Sequence, residues 1–263
     1  MSSDPVPGER PLESRYDDER DEIRRVPVAD RPNKVEPGDF AGPPAADGNF
    51  VEFFGSLPHL LQAESLRKVA AGVVGAVERE RTCLWMLGGH VVKTGLTPIL
   101  IWLMERRAIT HVAVNGSTVI HDYEMARFGG TSEDVEAGLT DGSFGMALET
   151  GREMNLAIRA GRADGLGLGA SLTRALATRD DLLYPELSLL VAGSRLGVPI
   201  TVHAAIGAEI LHQHPEADGA AIGETSYRDF MALSRAMEGL DDGGAVLNVG
   251  SAVLLPEVFL KAL

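Results

Sequence analysis

Residues 83–95 read Cys-Leu-Trp-Met-Leu-Gly-Gly-His-Val-Val-Lys-Thr-Gly, and this stretch decides the fold prediction. Its leading apolar run is too short for a helix and stops at two glycines, which is typical of a buried strand with a sharp turn at its exit. Thr97 and Pro98 follow, and they suit the N-cap and the first turn of a helix. A buried strand, a glycine turn and a helix in this order predict one βα unit of a parallel sheet.

The same arrangement is repeated along the chain. Three further apolar runs, each followed by a glycine, occupy residues 109–114, 199–204 and 245–249, and helical periodicity fills most of the sequence between them. We therefore predict an α/β fold: a Rossmann-like, doubly wound, mostly parallel sheet with helices on both faces. Residues 51–263 would form this single nucleotide-binding domain.

The N-terminal region has a different composition. Residues 1–50 hold 8 of the 14 prolines, 12 acidic and 7 basic residues, and few large apolar side chains. Such a segment cannot bury enough apolar surface to offset its ordering entropy. We predict an extended or disordered arm with a short charged helix over residues 16–25. Two interpretations stay open: a solvated tail, or an arm that wraps the body or a neighbouring subunit.

Composition and charge exclude several classes of partner. Lys and Arg number 24 against 38 Asp and Glu, so the net charge of −14 argues against nucleic acid and against an anionic membrane surface. The single cysteine, Cys83, excludes a disulfide framework and a cysteine-based zinc site. With no apolar run of about 18 residues and no signal sequence, we expect a cytoplasmic protein acting on a small molecule.

Glycine and polar residues at the four strand exits predict one shared ligand site. In an open parallel sheet, ligands bind beyond the carboxyl ends of the strands. We read residues 88–96 as a loop that leads to a helix N-terminus, and residues 122–128 as a helix that follows the second exit. The predicted cofactor-binding residues are Gly88, Gly89, His90, Thr94 and Gly95 at the first exit, Asn115, Gly116, Ser117, Asp122 and Glu124 at the second, and Asn248, Gly250 and Ser251 at the fourth.

Three side chains near these exits are candidates for catalysis. Lys93 would pair with a phosphate or carboxylate group, or it is a solvated loop cation. His121 and His203 are candidates for proton transfer, although His203 also fits a structural role. A metal site formed by His203, His212 and His214 is the alternative, but their spacing matches no common zinc pattern.

Residues 84–124 resemble deoxyhypusine synthase and its relatives, and they are similar to the NAD-binding domain of archaeal-type ornithine cyclodeaminases. The shared features are a Thr-Gly-bearing loop before a Pro-containing helix, then a strand, a small-residue turn and an acidic helix start. The resemblance implies NAD binding, with sites near the subunit interfaces of a homotetramer. It assigns cofactor contacts to Gly89, Thr94, Gly95, Asn115, Gly116 and Ser117, and a ribose hydroxyl to Asp122 or Glu124.

One departure from the family limits what the resemblance implies. Deoxyhypusine synthases form an imine on a lysine near the C-terminal part of the domain, and no lysine occurs between Lys93 and Lys261. Imine chemistry would then require Lys93 to take over this role from another strand. The leading hypothesis is therefore an NAD-binding enzyme without imine chemistry. It would transfer a hydride or a proton on a small polar substrate, and one version of the hypothesis is a substrate that carries an amine. The alternatives are a metal-dependent hydrolase or lyase and a non-catalytic nucleotide-binding scaffold.

Overall fold

The computed structural model describes residue 23 and residues 25–263, and the chain divides into two compact units, residues 1–67 and 68–263. The predicted helix over residues 16–25 lies outside the described residues, apart from two positions. In the first unit, helix α1 (Phe50–Ser56) begins at a capping box in which Asn49 and Glu52 bond each other's backbone N–H. Arg67 donates hydrogen bonds to three backbone carbonyls in and just after α1.

The second unit contains four parallel strands, as predicted. They are β1 (Cys83–Leu87), β2 (His111–Asn115), β3 (Ile200–His203) and β4 (Ala245–Val249), in the spatial order β3-β2-β1-β4. Leu87 pairs with both Val114 and Val249, and Asn115 pairs with His203. The register therefore brings all four strand exits to one edge of the sheet, the carboxyl edge.

Helices surround this sheet. After α2 (Leu61–Glu78), they are α3 (Gly89–Lys93), α4 (Thr97–Glu105), α5 (Gly116–Phe128), α6 (Val135–Asp141), α7 (Leu148–Ala163), α8 (Leu168–Ala177), α9 (Leu189–Leu196), α10 (Gly219–Met237) and α11 (Leu254–Ala262). Among the residues that the structure describes, no helix has both the length and the apolarity needed to cross a bilayer.

Helices pack on both faces of the sheet, which confirms the doubly wound prediction, and of the four strands described only the edge strand β4 keeps exposed residues, Val246 and Asn248. On one face, Val112, Val114 and Val202 belong to the larger core, to which α3, α4, α5, α7, α8, α9 and the first turn of α10 contribute. On the other face, Leu84 and Met86 belong to a smaller core with side chains of α10 and α11. In β1, β2 and β3, successive residues point to two covered faces, which explains why these strands read as continuous apolar runs.

The first two strand exits differ in detail from the prediction. Helix α5 begins at Gly116, directly after β2, because the Asn115 side chain accepts the backbone N–H of Thr118 and caps the helix. The predicted helix over residues 122–128 is therefore only the second half of α5. After β1, the predicted loop contains the short helix α3. The carboxyl edge thus carries helices packed closely against one another.

Candidate functional site

A cavity of about 260 Å³ lies at the carboxyl edge, next to α3 and α5. Its polar lining includes Lys93, Ser117, His121, Glu124, Glu133 and Glu209. On α5, Ser117, His121 and Glu124 stand four and then three residues apart, so they share one helix face. The structure thus brings four predicted residues, Lys93 and these three, to a common space, which we call the His121 cavity.

Gly89 allows α3 to approach α5 at this point. A Cβ atom on Gly89 would lie 2.6 Å from the Ser117 Oγ and 3.2 Å from the His121 Cδ2. Any larger residue would therefore displace the Ser117 hydroxyl and press on the His121 ring. This close packing also explains why Lys93, at the end of α3, reaches the cavity.

The His121 ring is held through one of its two nitrogens. Its Nδ1 lies 2.7 Å from the Thr131 Oγ1, and that hydroxyl donates to the Glu124 Oε2 at 2.6 Å. Because Thr131 gives its one hydrogen to Glu124, it must accept from Nδ1, so the neutral imidazole carries its proton there. Nε2 is then unprotonated and has no hydrogen-bond partner among the described residues.

The surroundings keep this imidazole neutral. Burial is the main cause that lowers the pKa of His121 to about 4, and the charges of Lys93 and His90 lower it further. Glu124 is fixed on its other side, where its Oε1 accepts from the Thr150 hydroxyl at 2.9 Å. The arrangement offers a free, oriented base that is not protonated at neutral pH.

Glu209 fills the N-terminal end of α5. Its Oε1 accepts the backbone N–H groups of Gly116 at 3.0 Å and Ala205 at 3.1 Å. Burial raises the pKa of Glu209, and these backbone hydrogen bonds oppose the rise. A Cβ atom on Gly116 would lie 2.0 Å from this carboxylate. A protein side chain therefore takes the backbone N–H of Gly116, one of the predicted cofactor contacts.

Asp122 lies apart from the cavity. It is buried, and its two oxygens accept the Ser188 hydroxyl and the backbone N–H groups of Leu189 and Leu190. Burial raises the pKa of Asp122 to about 6 against the effect of these hydrogen bonds. The carboxyl group thus caps helix α9.

His203 also lies apart from the cavity. It is 4% exposed, and its Nε2 lies 3.1 Å from the Thr201 hydroxyl, which is equally close to the Nε2 of His111. Burial, followed by the charge of His111, lowers the pKa of His203 to about 4. The role of His203 in proton transfer stays a prediction.

The fourth exit forms a tight turn of its own. Asn248 Nδ2 donates to the Ser251 carbonyl, and the Ser251 hydroxyl accepts from Leu255 N in the first turn of α11. Gly250 has a φ of +78°, in the left-handed region. A Cβ atom on Gly88 would lie 2.0 Å from the Gly250 carbonyl oxygen. Backbone thus fills the crevice between β1 and β4, where the strand order reverses.

Of the predicted NAD contacts, Ser117 and Glu124 line the His121 cavity. The His121 cavity is smaller than the roughly 300–1,000 Å³ of typical ligand pockets. The carboxylates of Asp122 and Glu124 and the first turn of α5 are bonded within the protein, and Thr94 Oγ1 donates to the His90 carbonyl. The volume of the cavity matches a small molecule.

Each of the three histidines of the metal hypothesis is bonded to a different part of the protein. His212 Nδ1 accepts the Gly207 N–H, and His214 Nε2 bonds the Gly145 carbonyl. His203 lies within the sheet. Across residue 23 and residues 25–263, no group of three His, Cys, Asp or Glu residues could hold a metal ion.

Thr131, Glu133 and Thr150 belong to the site but were not predicted from the sequence. Thr131 and Glu133 lie between α5 and α6, and Thr150 lies in α7. No periodic pattern marks the turn that contains the first two. A helix prediction that began at Gly116 would have put Ser117, His121 and Glu124 on one face.

Comparisons with known proteins give similarities of fold only. No protein-family model matches the chain, and no curated protein matches its sequence. ArgZ, an arginine dihydrolase from cyanobacteria, is 13% identical with a TM-score of 0.49, over 77% of this chain and 26% of ArgZ. AgrE, solved with ornithine and NAD+, is 15% identical with a TM-score of 0.47, over 74% of this chain and 25% of AgrE.

A deoxyhypusine synthase candidate from Entamoeba histolytica is 10% identical with a TM-score of 0.47, over 82% of this chain and 93% of that protein. By contrast, the chain spans only about a quarter of the length of ArgZ and AgrE. At these TM-scores the similarities carry no argument about chemistry. The function proposed below rests on the residues of this chain.

Proposed function

We propose that the protein is an enzyme that transfers a proton on a small polar substrate bound in the His121 cavity. One observation carries this proposal: the Nε2 of His121 has no hydrogen-bond partner among the described residues. The Nδ1 of the same ring is bonded to Thr131, whose hydroxyl is bonded to Glu124. A general base needs an unprotonated atom, a fixed orientation and an adjacent space for the substrate. His121 has all three.

The charges around the cavity favour a substrate with both an anionic and a cationic group. Among the described residues, Lys93 is the one lysine or arginine of the lining, and Glu124, Glu133 and Glu209 supply three carboxylates. Lys93 would pair with a carboxylate or phosphate of the substrate, and the excess of acidic groups favours an amine. A small amine-bearing acid fits this distribution and the size of the cavity.

Substrate binding would also strengthen the base. The charge of Lys93 lowers the pKa of His121, so an anionic group paired with Lys93 removes part of that effect. His121 Nε2 then takes a proton from the substrate, and the imidazolium keeps its Nδ1–H on Thr131. The negative charge of Glu124, relayed by the Thr131 hydroxyl, stabilises the imidazolium until Nε2 returns the proton.

NAD binding and a homotetramer stay predictions of the family resemblance. A dinucleotide would require the backbone contact between β1 and β4, or the Glu209 carboxylate, to move. Isothermal titration with NAD and NADH tests this separately: measurable heat with saturation would support the cofactor, and no heat would leave proton transfer as the complete chemistry.

Deuterium exchange tests the proposed function directly, because a base that removes a carbon-bound proton lets the substrate take up deuterium from the solvent. The protein is incubated in D2O with a panel of amino acids and hydroxy acids, and exchange of carbon-bound hydrogen is followed by mass spectrometry. We expect exchange in at least one compound, and a loss of roughly 100-fold or more in His121→Gln. Lys93→Met should raise the substrate concentration needed for half-maximal exchange.

The matched control is His59→Gln, which changes an exposed histidine of the first unit. This variant should exchange at the wild-type rate. Exchange that persists in His121→Gln, or no exchange with any compound of the panel, would contradict the proposal.

A further inference from the structure

Residues 129–147, between the end of α5 and the start of α7, line one side of the His121 cavity. We call them the cover segment. The residues that it contributes to the lining are Ser132, Glu133, Val135, Phe144 and Ala147. The same segment carries Thr131, whose hydroxyl bonds both His121 and Glu124. One piece of chain therefore both closes the cavity and touches the proposed base.

Internal hydrogen bonds hold the cover segment as one body. Both carboxylate oxygens of Glu133 lie 3.0 Å from the backbone N of Gly145, near the other end of the segment. Between them, Asp134 caps α6 by accepting the N–H of Ala137. A Cβ atom on Gly138 would lie 3.0 Å from the Phe144 Cα, so α6 packs directly on the returning backbone.

Glu124 links the cover segment and α7 to the helix that carries His121. Its Oε2 accepts from Thr131, near the start of the segment, and its Oε1 accepts from Thr150, in the first turn of α7. Ser132, directly after Thr131, has a φ of +69°, which residues with side chains rarely adopt. A backbone held in this region indicates that the surrounding contacts determine the position of Thr131.

We propose that Thr131 is the positioning residue of His121, and that the cover segment delivers it, so that closure of the cavity and orientation of the base are one event. The proposal rests on the proposed function of His121 and adds its regulation. When the segment is in place, the Thr131 hydroxyl accepts from Nδ1 and leaves Nε2 unprotonated. When the segment moves away, nothing holds the proton on Nδ1, and the other tautomer competes.

Nitrogen NMR of the histidine rings tests the positioning role without any substrate. Wild-type protein at pH 7 should show His121 as the Nδ1–H tautomer. Thr131→Val, which keeps the shape and removes the hydroxyl, should shift most of His121 to the Nε2–H tautomer, and Thr131→Ser should restore the wild-type signal. Thr150→Val is the matched control, since it removes a hydroxyl from Glu124 without touching His121, and it should leave the tautomer unchanged.

A second variant tests the coupling to closure. Glu133→Ala removes the bonds to Gly145 and touches neither Thr131 nor His121. We expect faster amide hydrogen exchange across residues 129–147 together with a loss of the pure Nδ1–H signal. Faster exchange with an unchanged tautomer would overturn the coupling, and a wild-type tautomer in Thr131→Val would overturn the positioning role.

These outcomes separate the inference from the proposed function. If Thr131→Val changes the tautomer but His121→Gln leaves deuterium exchange intact, Thr131 positions a ring that is not the base, and the inference fails as a statement about catalysis. If His121 is the base, Thr131→Val should slow exchange at least about tenfold while the half-saturating substrate concentration stays near the wild-type value. Thr131→Ser should recover the rate.

Discussion

His121 and His203 are alike in several respects. Each histidine lies near the exit of a parallel strand, and each bonds a threonine hydroxyl through one ring nitrogen. Burial is the main cause that lowers the pKa of each to about 4. They differ in what surrounds the rest of the ring. His121 lines a cavity beside Lys93, whereas His203 is enclosed on the sheet face with Thr201 and His111.

The comparison shows that a shifted pKa does not by itself identify a catalytic histidine. Burial lowers the pKa of a histidine in a core as much as in an active site. What distinguishes His121 is an unpartnered Nε2 next to open space, among the described residues, together with a hydroxyl and a carboxylate that fix the other nitrogen. The experiments below test this distinction, in order of expected effect.

The largest expected difference is in stability after truncation. His203→Ala opens a cavity in the core and removes a partner of the Thr201 hydroxyl, so we expect a loss of roughly 3 kcal/mol in the free energy of unfolding. His121→Ala enlarges a cavity that already exists, and Thr131 keeps its bond to Glu124, so a loss of about 1 kcal/mol is expected. Urea denaturation at pH 7 measures both.

Equal losses in the two variants would break the comparison, because they would mean that His121 is as much a core residue as His203. Refolding after dilution from urea is the necessary control, since only a reversible transition gives a free energy.

The second effect is the dependence of stability on pH. The pKa of His203 is about 4 in the folded protein against 6.5 in the unfolded chain, so the unfolded chain binds more protons between these values. The stabilisation is complete above pH 6.5 and is lost as the pH falls towards 4. His203→Gln should therefore lose less stability than the wild type over this window, by up to roughly 3 kcal/mol.

Three buried carboxyl groups act in the opposite direction, because burial raises the pKa of Glu209 as well as the pKa values of Asp122 and Asp229. Burial raises the pKa of Asp122 to about 6 and that of Asp229 to about 7, so their contribution is lost as the pH rises through these values. The dependence of the wild-type unfolding free energy on pH contains the contributions of both the histidines and the carboxyl groups. The quantity to measure is therefore the difference between each variant and the wild type at the same pH. His121→Gln should show a smaller difference than His203→Gln, because solvent in the cavity screens the ring. A larger difference for His121 would contradict this.

Much of the fold could be predicted from the sequence because its signals are local. The apolar runs of β1 to β4 and the glycines after them are read within a few residues, and the parallel topology follows from their alternation with helices. The helix start at Gly116 was missed because it depends on the Asn115 side chain, which reads equally well as a turn residue. With the helix start at Gly116, the sequence would have placed Glu124 on the face of Ser117 and His121, which lines the cavity, and Asp122 on another face, where it caps α9.

The candidate site could be predicted only in part, for a related reason. Lys93 and His121 lie next to strand exits, and strand exits of a parallel sheet share an edge. Thr131 and Glu133 come from a segment without periodicity, and their positions depend on contacts with Glu124 and Gly145 that no local pattern encodes. His203 was predicted at the correct edge, but which sheet face its ring occupies depends on a one-residue register.

The smallest expected effect is electrostatic, and it separates the two histidines most directly. Lys93 is the second cause of the low pKa of His121, after burial, and it is not among the causes for His203. Lys93→Met removes the charge and keeps most of the side-chain volume, so the pKa of His121 should rise by a fraction of a unit and remain below 6.5, because burial persists. The pKa of His203 should not change.

Ring-proton NMR across the acid range below pH 7 follows both residues in one sample, with Lys68→Met as the matched control for loss of a lysine. A shift of similar size in both histidines would mean that Lys93 acts on the whole sheet edge, and an unchanged His121 would remove Lys93 from the site and with it the proposed link between substrate binding and the strength of the base.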